Sequence, residues 1–342
     1  MMITGKIGFA IIGLGHIGKR HALMIQQNPH CELLAVIDSD KNVLDAFFAS
    51  GTTRIAAFSD IESFLCSGIH ADVCCVCTPN GYHVTHAMLA LEASMHVVVE
   101  KPFALNYADA LSIIDLAGKK SKFVFNVMQN RFSPPIQWLK ETIDSGKLGN
   151  ILFVQINCFW NRDERYYSKG SWHGNAKLDG GTLFTQFSHF IDILYWIFGD
   201  VENIQSQIKN INHPYLGAFD DSGAASFTFK KGGFGALSFT TNAYKNNLES
   251  SITIMGEKGT IKIGGQYMDT LEVCNIDHFN CPDLPATAPG NDYGTYKGSA
   301  QNHGYIYEDV VRTLKQNNTQ LIDPQDGAMV VNIIERIYRA AK

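Results

Sequence analysis

The chain has 342 residues, a length that accommodates two domains of ordinary size. Hydrophobic residues make up 45% and charged residues 18%, so the chain can bury a core and is neither disordered nor fibrous. Its 28 basic and 33 acidic residues give a net charge of −5, and no basic run stands out. We therefore expect neither a nucleic-acid partner nor a membrane partner.

The apolar segments are short. Phe187–Phe198 and Ile151–Trp160 both fall below the roughly 20 residues that a bilayer-spanning helix needs. The run Ile7–Ile12 leads into glycines, which predicts a first strand and not a signal peptide. Eight cysteines are scattered without ligands at zinc spacing, and Cys74 and Cys77 lie in a predicted buried strand. We predict reduced structural thiols, no metal site and a cytoplasmic location.

Strands and helices alternate through the first domain, predicted at 1–125. The predicted strands are Lys6–Ile12, Glu32–Ile37, Arg54–Ala57, Val73–Cys77, His96–Val99 and Phe123–Val127. The predicted helices are Gly18–Gln27, Lys41–Ala49, Asp60–Cys66, Tyr82–Ala93 and Tyr107–Lys120. Such alternation is typical of an α/β fold in which helices cover both faces of a doubly wound parallel sheet.

The pattern changes near Asn126–Pro135, and the second domain is predicted at 126–342. Short turns separate several of its longer strands, which indicates antiparallel pairing. The strands are Ile151–Trp160, Val201–Lys209, Gly223–Lys230, Gly235–Thr241, Ser250–Met255, Gly259–Ile263 and Asp269–Cys274. The helices are Pro134–Ser145, Thr182–Phe198, Asn302–Gln316 and Ala328–Ala341, and Asp277–Gly298 is expected to be irregular.

A glycine pattern between the first strand and the first helix indicates a dinucleotide site. It fits G-x-G-x-x-G and supplies the candidate cofactor contacts Gly13, Gly15, His16, Ile17 and Gly18. Glycines there permit a tight turn, and the helix N-terminus faces the pyrophosphate. Asp38, at the end of the second strand, is placed to accept hydrogen bonds from a ribose diol and to repel a 2′-phosphate, which favours NAD over NADP. The alternative is a glycine-rich turn in another doubly wound fold.

Two further positions suggest proton transfer. Lys101 follows the strand His96–Val99, and side chains at the carboxyl end of a parallel strand reach the ligand crevice. A lysine there can exchange a proton with a substrate hydroxyl, although a solvated lysine is the simpler alternative. His189 and Asp192 are three residues apart on a predicted helix and share a face. A histidine in an apolar helix can also be a core residue, but the preceding glycine pair favours a site.

Four segments, in order, resemble motifs of the glucose–fructose oxidoreductase/inositol dehydrogenase (Gfo/Idh/MocA) family. They are the T-P-x-x-x-H loop at 78–83, the E-K-P motif at 100–102, the N-R-R/F segment at 130–132, and the glycine-rich helix start at 180–192. The resemblance implies a Rossmann domain followed by an α/β domain with a large, mainly antiparallel open sheet. It implies Lys101 and His189 as the catalytic pair, with the choice of base left open. The further cofactor contacts that it implies are Thr78, Pro79, Asn80, His83, Glu100, Lys101, Gln129 and Arg131.

The same resemblance also bears on the identity of the substrate and on the residues that contact it. Many members carry Asp or Asn where this chain has Thr185, followed by Gln186, and loss of that carboxylate makes a polyol substrate less expected. Arginine and aromatic groups in the loop Asn161–Gly174 can bind phosphate and stack on a base, unless this is an ordinary polar loop. The candidate substrate contacts are Lys101, Arg162, Tyr166, Tyr167, Trp172, Thr185, Gln186, His189 and Asp192.

The loop and the stretch Ser251–Gly265 resemble members that oxidise the 3-hydroxyl of nucleotide-linked sugars, such as UDP-N-acetylglucosaminuronate 3-dehydrogenases of surface-polysaccharide synthesis. The stretch could equally be a structural hairpin. We predict an NAD-dependent dehydrogenase of a secondary sugar hydroxyl, with a free sugar or inositol as alternative substrate. A non-catalytic NAD-binding scaffold or sensor is the rival class, against which Lys101 and His189 argue. An open sheet is best covered by a second copy, so a homo-oligomer, dimer or tetramer, is expected.

Overall fold

The structure is a computed structural model, and its contacts divide the chain into two units. The first unit comprises 1–127 and 303–328, and the second comprises 128–302 and 329–342. The sequence prediction assigned 303–328 to the second domain. That assignment is wrong because Tyr307 packs against Phe9 of the first strand and contacts His21 of the first helix. The residues described are 3, 5–49, 55–168, 171–217, 219–287, 289–292, 294, 297–316 and 318–341.

The first unit contains a six-stranded parallel sheet. Its strands are β1 (Ile7–Ile12), β2 (Cys31–Ile37), β3 (Ala56–Phe58), β4 (Val73–Val76), β5 (His96–Val99) and β6 (Val124–Asn126). Its helices are α1 (His16–Gln27), α2 (Lys41–Ala49), α3 (Ile61–Leu65), α4 (His83–Glu92), α5 (Tyr107–Lys120) and α9 (Gly304–Gln316). Arg54 of the predicted third strand lies outside the described residues.

The strand order is β3-β2-β1-β4-β5-β6, the doubly wound Rossmann order. Every residue of β1 and β4 is buried, as expected for central strands covered on both faces. The order reverses between β1 and β4, so the crevice outside their carboxyl ends is the expected ligand position. The turns that follow β1, β2, β4 and β5 carry the predicted cofactor and lysine positions.

The second unit contains a seven-stranded sheet and a short hairpin. The sheet consists of β7 (Ile151–Phe159), β8 (Val201–Lys209), β9 (Ser222–Phe229), β10 (Phe234–Thr240), β11 (Glu249–Gly256), β12 (Gly259–Gly264) and β13 (Thr270–Ile276). The hairpin is β14 (Gly290–Asp292) and β15 (Lys297–Ala300). The helices are α6 (Pro134–Asp144), α7 (Thr182–Thr185), α8 (Ser188–Phe198) and α10 (Pro324–Ala340), whose first five residues belong to the first unit.

The sheet order is β13-β12-β11-β7-β10-β9-β8, and neighbouring strands are antiparallel except for the parallel pair β7 and β10. The predicted fold class is therefore confirmed. On the inner face, Phe187 packs against Phe239 of β10, and Trp160 contacts both Phe187 and Phe190. This aromatic layer holds helix α8 on the sheet.

Three details differ from the sequence prediction. The single helix Thr182–Phe198 is two helices, because Phe187 leaves the helical conformation with ψ of 5°. The segment 277–298 contains a strand pair. Cys274 and Cys281 form a disulfide at the end of β13, so the prediction that all thiols are reduced is wrong.

Among the residues that the structure describes, no helix combines the length and apolar character needed to cross a membrane.

Candidate active site

The glycine turn after β1 has room for a dinucleotide. Gly13 has φ of +89°, and a Cβ there would lie 2.6 Å from the carbonyl oxygen of Cys77. A Cβ on Gly18 would overlap the carbonyl oxygen of Gly13, so both positions require glycine. An added Cβ on Gly15 meets no atom within 4 Å, which leaves the start of α1 open to a pyrophosphate. The predicted cofactor residues fit NAD here.

Asp38 joins the end of β2 to this turn. Its Oδ2 accepts a hydrogen bond from Leu14 N at 2.7 Å, and its Oδ1 accepts one from Asp40 N at 2.9 Å. The half-buried carboxylate keeps further lone pairs for a ribose diol. His16 is exposed and Ile17 half-buried at the helix start. Burial and the charge of Lys19 lower the pKa of His16, so its ring is neutral beside the anion site.

The loop after β4 is held by a buried histidine. His83 Nδ1 lies 2.8 Å from the carbonyl oxygen of Pro102, and Nε2 lies 2.9 Å from that of Thr78. Burial lowers the pKa of His83, and these two backbone contacts act in the opposite direction. His83 was predicted to contact the cofactor. Because both of its nitrogens contact the main chain, we assign it to joining the loop to the E-K-P segment. Thr78 and Pro79 are half-buried, and Asn80 is buried.

Glu100 was also predicted to contact the cofactor, but the structure gives it protein partners. Its Oε1 lies 2.8 Å from His21 Nε2, and its Oε2 accepts a hydrogen bond from Lys101 N at 3.1 Å. Burial acts to raise the pKa of Glu100, but hydrogen bonds and charge interactions with His21 and His303 outweigh it and hold the pKa well below the usual value. Glu100 is therefore ionised, and Lys101, half-buried, follows it directly.

His189 lies in the first turn of α8, next to Gln129. The side-chain nitrogen of Gln129 is 3.2 Å from His189 Nε2, and both residues are 2% exposed. With the amide donating, Nε2 accepts and the ring proton is on Nδ1. An imidazole in this position can act as a proton acceptor when it is neutral.

Arg131 and Asp192 form a buried ion pair in the second unit. Arg131 Nε is 2.9 Å from Asp192 Oδ2, and Arg131 Nη2 is 2.5 Å from Oδ1. Both side chains are almost fully buried, at 3% and 0%. Arg131 was predicted to bind cofactor and Asp192 to bind substrate, and the structure assigns them to each other instead. Their pairing fixes the turn that carries Gln129 against the helix that carries His189.

The loop arginine is buried and does not face solvent. Arg162 donates from Nε to Gln186 Oε1 at 2.8 Å, from Nη1 to Asn247 Oδ1 at 3.2 Å, and from Nη2 to the carbonyl oxygen of Lys297 at 3.1 Å. Gln186 in turn donates to the hydroxyl of Tyr166 at 2.6 Å. Arg162 is 2% exposed, so the predicted role in binding a diphosphate is not supported. It ties three segments of the second unit together.

Of the other predicted aromatic contacts in the loop, two are buried and one is half-buried. Tyr166 and Tyr167 form a small core cluster with Phe219. Trp172 is half-buried and stacks on His173, with ring centroids 4.1 Å apart. Trp172 is thus the predicted loop contact that keeps an accessible face, whereas the two tyrosines pack inside. Residues 169–170 of this loop lie outside the described residues.

Two carboxylates that were not predicted from the sequence lie beside the glycine pair, Asp179 buried and Asp220 half-buried. Asp179 accepts hydrogen bonds from Gly174 N at 2.8 Å and from the hydroxyl of Thr185. Asp220 accepts from the hydroxyl of Tyr338 at 3.0 Å. Burial raises the pKa of Asp179 to about 7 and that of Asp220 to about 6. The available signal was the position of Asp179, directly before the glycine pair.

Two family models match the chain. The model described as "Oxidoreductase family, NAD-binding Rossmann fold" matches residues 7–127, and that of the GFO/IDH/MocA C-terminal domain matches residues 136–262. The chain belongs to the Gfo/Idh/MocA oxidoreductase family. The predictions of an NAD-dependent oxidoreductase and of NAD as its cofactor are confirmed for this Gfo/Idh/MocA protein.

A solved relative covers the whole chain. The WlbA dehydrogenase from Bordetella pertussis, crystallised with NADH and UDP-GlcNAcA, superposes with a TM-score of 0.89 at 30% identity, over 100% of this chain and 97% of that chain. Two curated relatives cover less. The first, from Comamonas testosteroni, is a 1-carboxy-3-chloro-3,4-dihydroxycyclo hexa-1,5-diene dehydrogenase. It is 30% identical, and the match covers 72% of this chain and 57% of that enzyme's length. The D-glucoside 3-dehydrogenase from Escherichia coli is 28% identical, with 70% and 68% covered.

Proposed function

We propose that this protein oxidises the 3-hydroxyl of a nucleotide sugar of the UDP-N-acetylglucosaminuronate kind. The observation that carries the proposal is the similarity, over essentially both full chains, to a dehydrogenase crystallised with that ligand and NADH. The role in surface-polysaccharide synthesis rests on the sequence resemblance and stays a prediction.

The proposed reaction removes a hydride and a proton from one carbinol. The chemistry supplied by bound NAD is acceptance of the hydride from the carbinol carbon. Lys101 or His189 takes the hydroxyl proton, and the other stabilises the alkoxide as it develops. Gln129, through its contact with Nε2, keeps the ring of His189 oriented until a substrate hydroxyl replaces that contact.

A glycoside without a nucleotide is the second candidate. The D-glucoside 3-dehydrogenase of Escherichia coli is 28% identical, and the burial of Arg162 removes that arginine from the set of predicted diphosphate contacts. Both candidates share oxidation at the 3-hydroxyl of a pyranose. They differ in whether affinity depends on the nucleotide.

The predicted homo-oligomer belongs to the same proposal. On the outer face of the seven-stranded sheet, Phe153 of β7 pairs with Phe234 of β10 and with Met255 of β11. Phe234 and Met255 are 44% and 46% exposed, and such an apolar row favours cover by a second copy. Light scattering on a gel-filtered sample measures the oligomeric state directly.

The cytoplasmic location stays a prediction, and the disulfide between Cys274 and Cys281 is the observation that weighs against it.

The deciding experiment is an NADH absorbance assay over a matched panel. UDP-N-acetylglucosaminuronate, UDP-N-acetylglucosamine, methyl glucoside, glucose 6-phosphate and myo-inositol are compared at equal concentration. We expect the highest kcat/KM with the first compound, and NMR of the product should place the carbonyl at C3. Equal or higher kcat/KM with methyl glucoside would favour the second candidate. NAD binding without turnover of any compound would favour a non-catalytic scaffold.

A further inference from the structure

Side chains from three separate segments of the first unit converge on Glu100. His21 comes from α1, Glu100 follows β5, and His303 and Tyr307 come from the start of α9, some two hundred residues later. All four are buried, with exposures of 0%, 4%, 1% and 1%. A carboxylate this deeply buried is stable only when donors surround it, so the cluster is a built arrangement and not a chance contact.

The hydrogen bonds form a chain with one consistent direction. Since the Glu100 carboxylate only accepts, His21 Nε2 donates to Oε1 at 2.8 Å. In a neutral His21 ring, Nδ1 then accepts from the hydroxyl of Tyr307 at 2.5 Å. His303 Nε2 lies 3.4 Å from the same Oε1. Both ring nitrogens therefore approach the same carboxylate oxygen, His21 at hydrogen-bond distance and His303 at ion-pair distance.

The opposite oxygen of this carboxylate faces the proposed catalytic lysine. Glu100 Oε2 accepts the hydrogen bond from Lys101 N at 3.1 Å. Displacement of the carboxylate therefore moves the main chain from which the Lys101 side chain starts. A shift of about 1 Å at a reacting group can reduce a rate by roughly a hundredfold.

We propose that Tyr307 of helix α9 and His303, the residue before that helix, act through His21 and Glu100 as positioning residues for Lys101. The inference rests on the proposed function, because it takes Lys101 to be a proton-transferring group. It adds a role at the site to the packing of 303–328 against the first unit.

Two histidines and a glutamate are also a possible zinc-binding set, and the three ligand atoms lie within 4.8 Å of one another. The observed contacts favour the hydrogen-bonded arrangement. His21 uses Nε2 for Glu100 and Nδ1 for Tyr307, so a metal would have to displace the Glu100 contact. Metal analysis of the purified protein is therefore one arm of the test.

The test compares Tyr307→Phe, His303→Leu and His303→Gln with the control Ile306→Val. Ile306 is a buried residue of the same helix without a polar atom in the cluster, and its shortening imitates a packing loss alone. Each variant is also combined with Lys101→Met. With UDP-N-acetylglucosaminuronate and NAD, we expect Tyr307→Phe and His303→Leu to lower kcat by roughly 10- to 100-fold. KM and NADH affinity should stay within about twofold, and His303→Gln, which keeps a donor, should recover most of the activity.

The double variants identify the route. If the cluster acts through Lys101, Tyr307→Phe causes no further loss in a Lys101→Met background. A second readout needs no cofactor. Amide exchange of Lys101, followed by NMR on lysine-labelled protein, should accelerate at least about tenfold in Tyr307→Phe and not in Ile306→Val, because exchange follows local opening.

Three results would overturn the inference while leaving the proposed function intact. These are losses that multiply with Lys101→Met, unchanged kcat in folded Tyr307→Phe, and one zinc per chain in the wild type that His303→Gln removes. Tyr307→Phe deletes a single oxygen, so it decides the matter even where His303→Leu does not fold. Retention of turnover in Lys101→Met alone would instead reject the catalytic role of Lys101, and the inference with it.

Discussion

The hydroxyl of Thr185 donates a hydrogen bond to the carboxylate of Asp179, six residues earlier in the chain. Thr185 occupies the position at which many family members, by the sequence resemblance, carry an acid or amide. A buried carboxylate from the preceding turn therefore lies next to that position.

Asp179 should make stability depend on pH. Burial raises its pKa from the ordinary 3.8 to about 7, so between these pH values the folded state binds a proton that the unfolded state has released. Stability contributed by this proton is present below about pH 4 and is lost as pH rises toward 7. The expected slope is about 1.4 kcal/mol of unfolding free energy per pH unit for each such proton. Asp220, with a pKa of about 6, acts in the same direction.

Thermal denaturation between pH 4 and pH 8 measures this slope. Asp179→Asn, which resembles the protonated form, should flatten the fall in Tm, whereas Asp283→Asn at an exposed acid should leave it unchanged. An identical slope in wild type and Asp179→Asn would mean that Asp179 is ionised in the folded protein across this range.

Breaking the buried pair of Arg131 and Asp192 should strongly destabilise the second unit. Arg131→Ala leaves the Asp192 carboxylate buried without its bidentate partner, and such losses cost about 3–5 kcal/mol. The apolar double variant Arg131→Met with Asp192→Leu should recover much of that loss. Urea denaturation followed by tryptophan fluorescence gives the values, and removal of the exposed pair Lys41–Asp45 is the control. Equal effects at the buried and exposed pairs would contradict this prediction.

Lys101 and His189 should each be essential for turnover and dispensable for NAD binding. Lys101→Met keeps the volume of the side-chain stem, and His189→Gln keeps a polar group, yet each should lower kcat by a factor on the order of 10² to 10⁴. Calorimetric NAD affinity should change little. Lys177→Met, at an exposed lysine, controls for the loss of charge. Near-normal turnover in both site variants would remove the assignment of proton transfer.

Local constraints explain which site residues were predictable. Gly13 and Gly18 are required by contacts within one turn, so a short motif identifies them. The partners of Arg162 lie far away in sequence, as Lys297 does at a separation of 135 residues. A spacing pattern contains no information about such contacts. The sequence alone therefore could not show that Arg162 is occupied by protein acceptors, and it was predicted to bind substrate.

The same limit applies to residues whose neighbours decide their role. Asp192 shares a helix face with His189, as predicted, but its partner Arg131 lies 61 residues earlier. Cys274 and Cys281 are seven residues apart, a spacing that does not show whether the chain turns back at the end of β13. Alternation of strands and helices, in contrast, depends on local periodicity, and it predicted the parallel sheet correctly.

Arg162 should affect stability more than substrate discrimination. Arg162→Leu leaves Gln186 Oε1 without its donor, at a cost of about 1–3 kcal/mol for a buried unsatisfied group. Asn247 Oδ1 and the carbonyl oxygen of Lys297 lose one donor each, and they keep Asn161 N and the Asn247 side-chain nitrogen, respectively. KM values for a nucleotide sugar and for methyl glucoside should then change by similar factors. Arg165→Leu in the same loop, at an exposed arginine, should leave stability nearly unchanged. A rise in KM confined to the nucleotide sugar would restore Arg162 as a phosphate contact.

Asp38 should determine the preference for NAD over NADP. Its carboxylate lies at the end of β2 and is fixed by Leu14 N, so a 2′-phosphate on the adjacent ribose would meet a negative charge. Asp38→Asn keeps an acceptor for Leu14 N while removing the charge, and it separates repulsion from loss of the turn. We expect the ratio of NADP to NAD dissociation constants to fall roughly tenfold, as a screened charge pair near a protein surface implies. Asp38→Ala should weaken both cofactors, because the hydrogen bond to the glycine turn is lost as well. Calorimetric titration of both cofactors into the three proteins measures these ratios, and tighter binding of NADP than of NAD by the wild type would contradict the assignment.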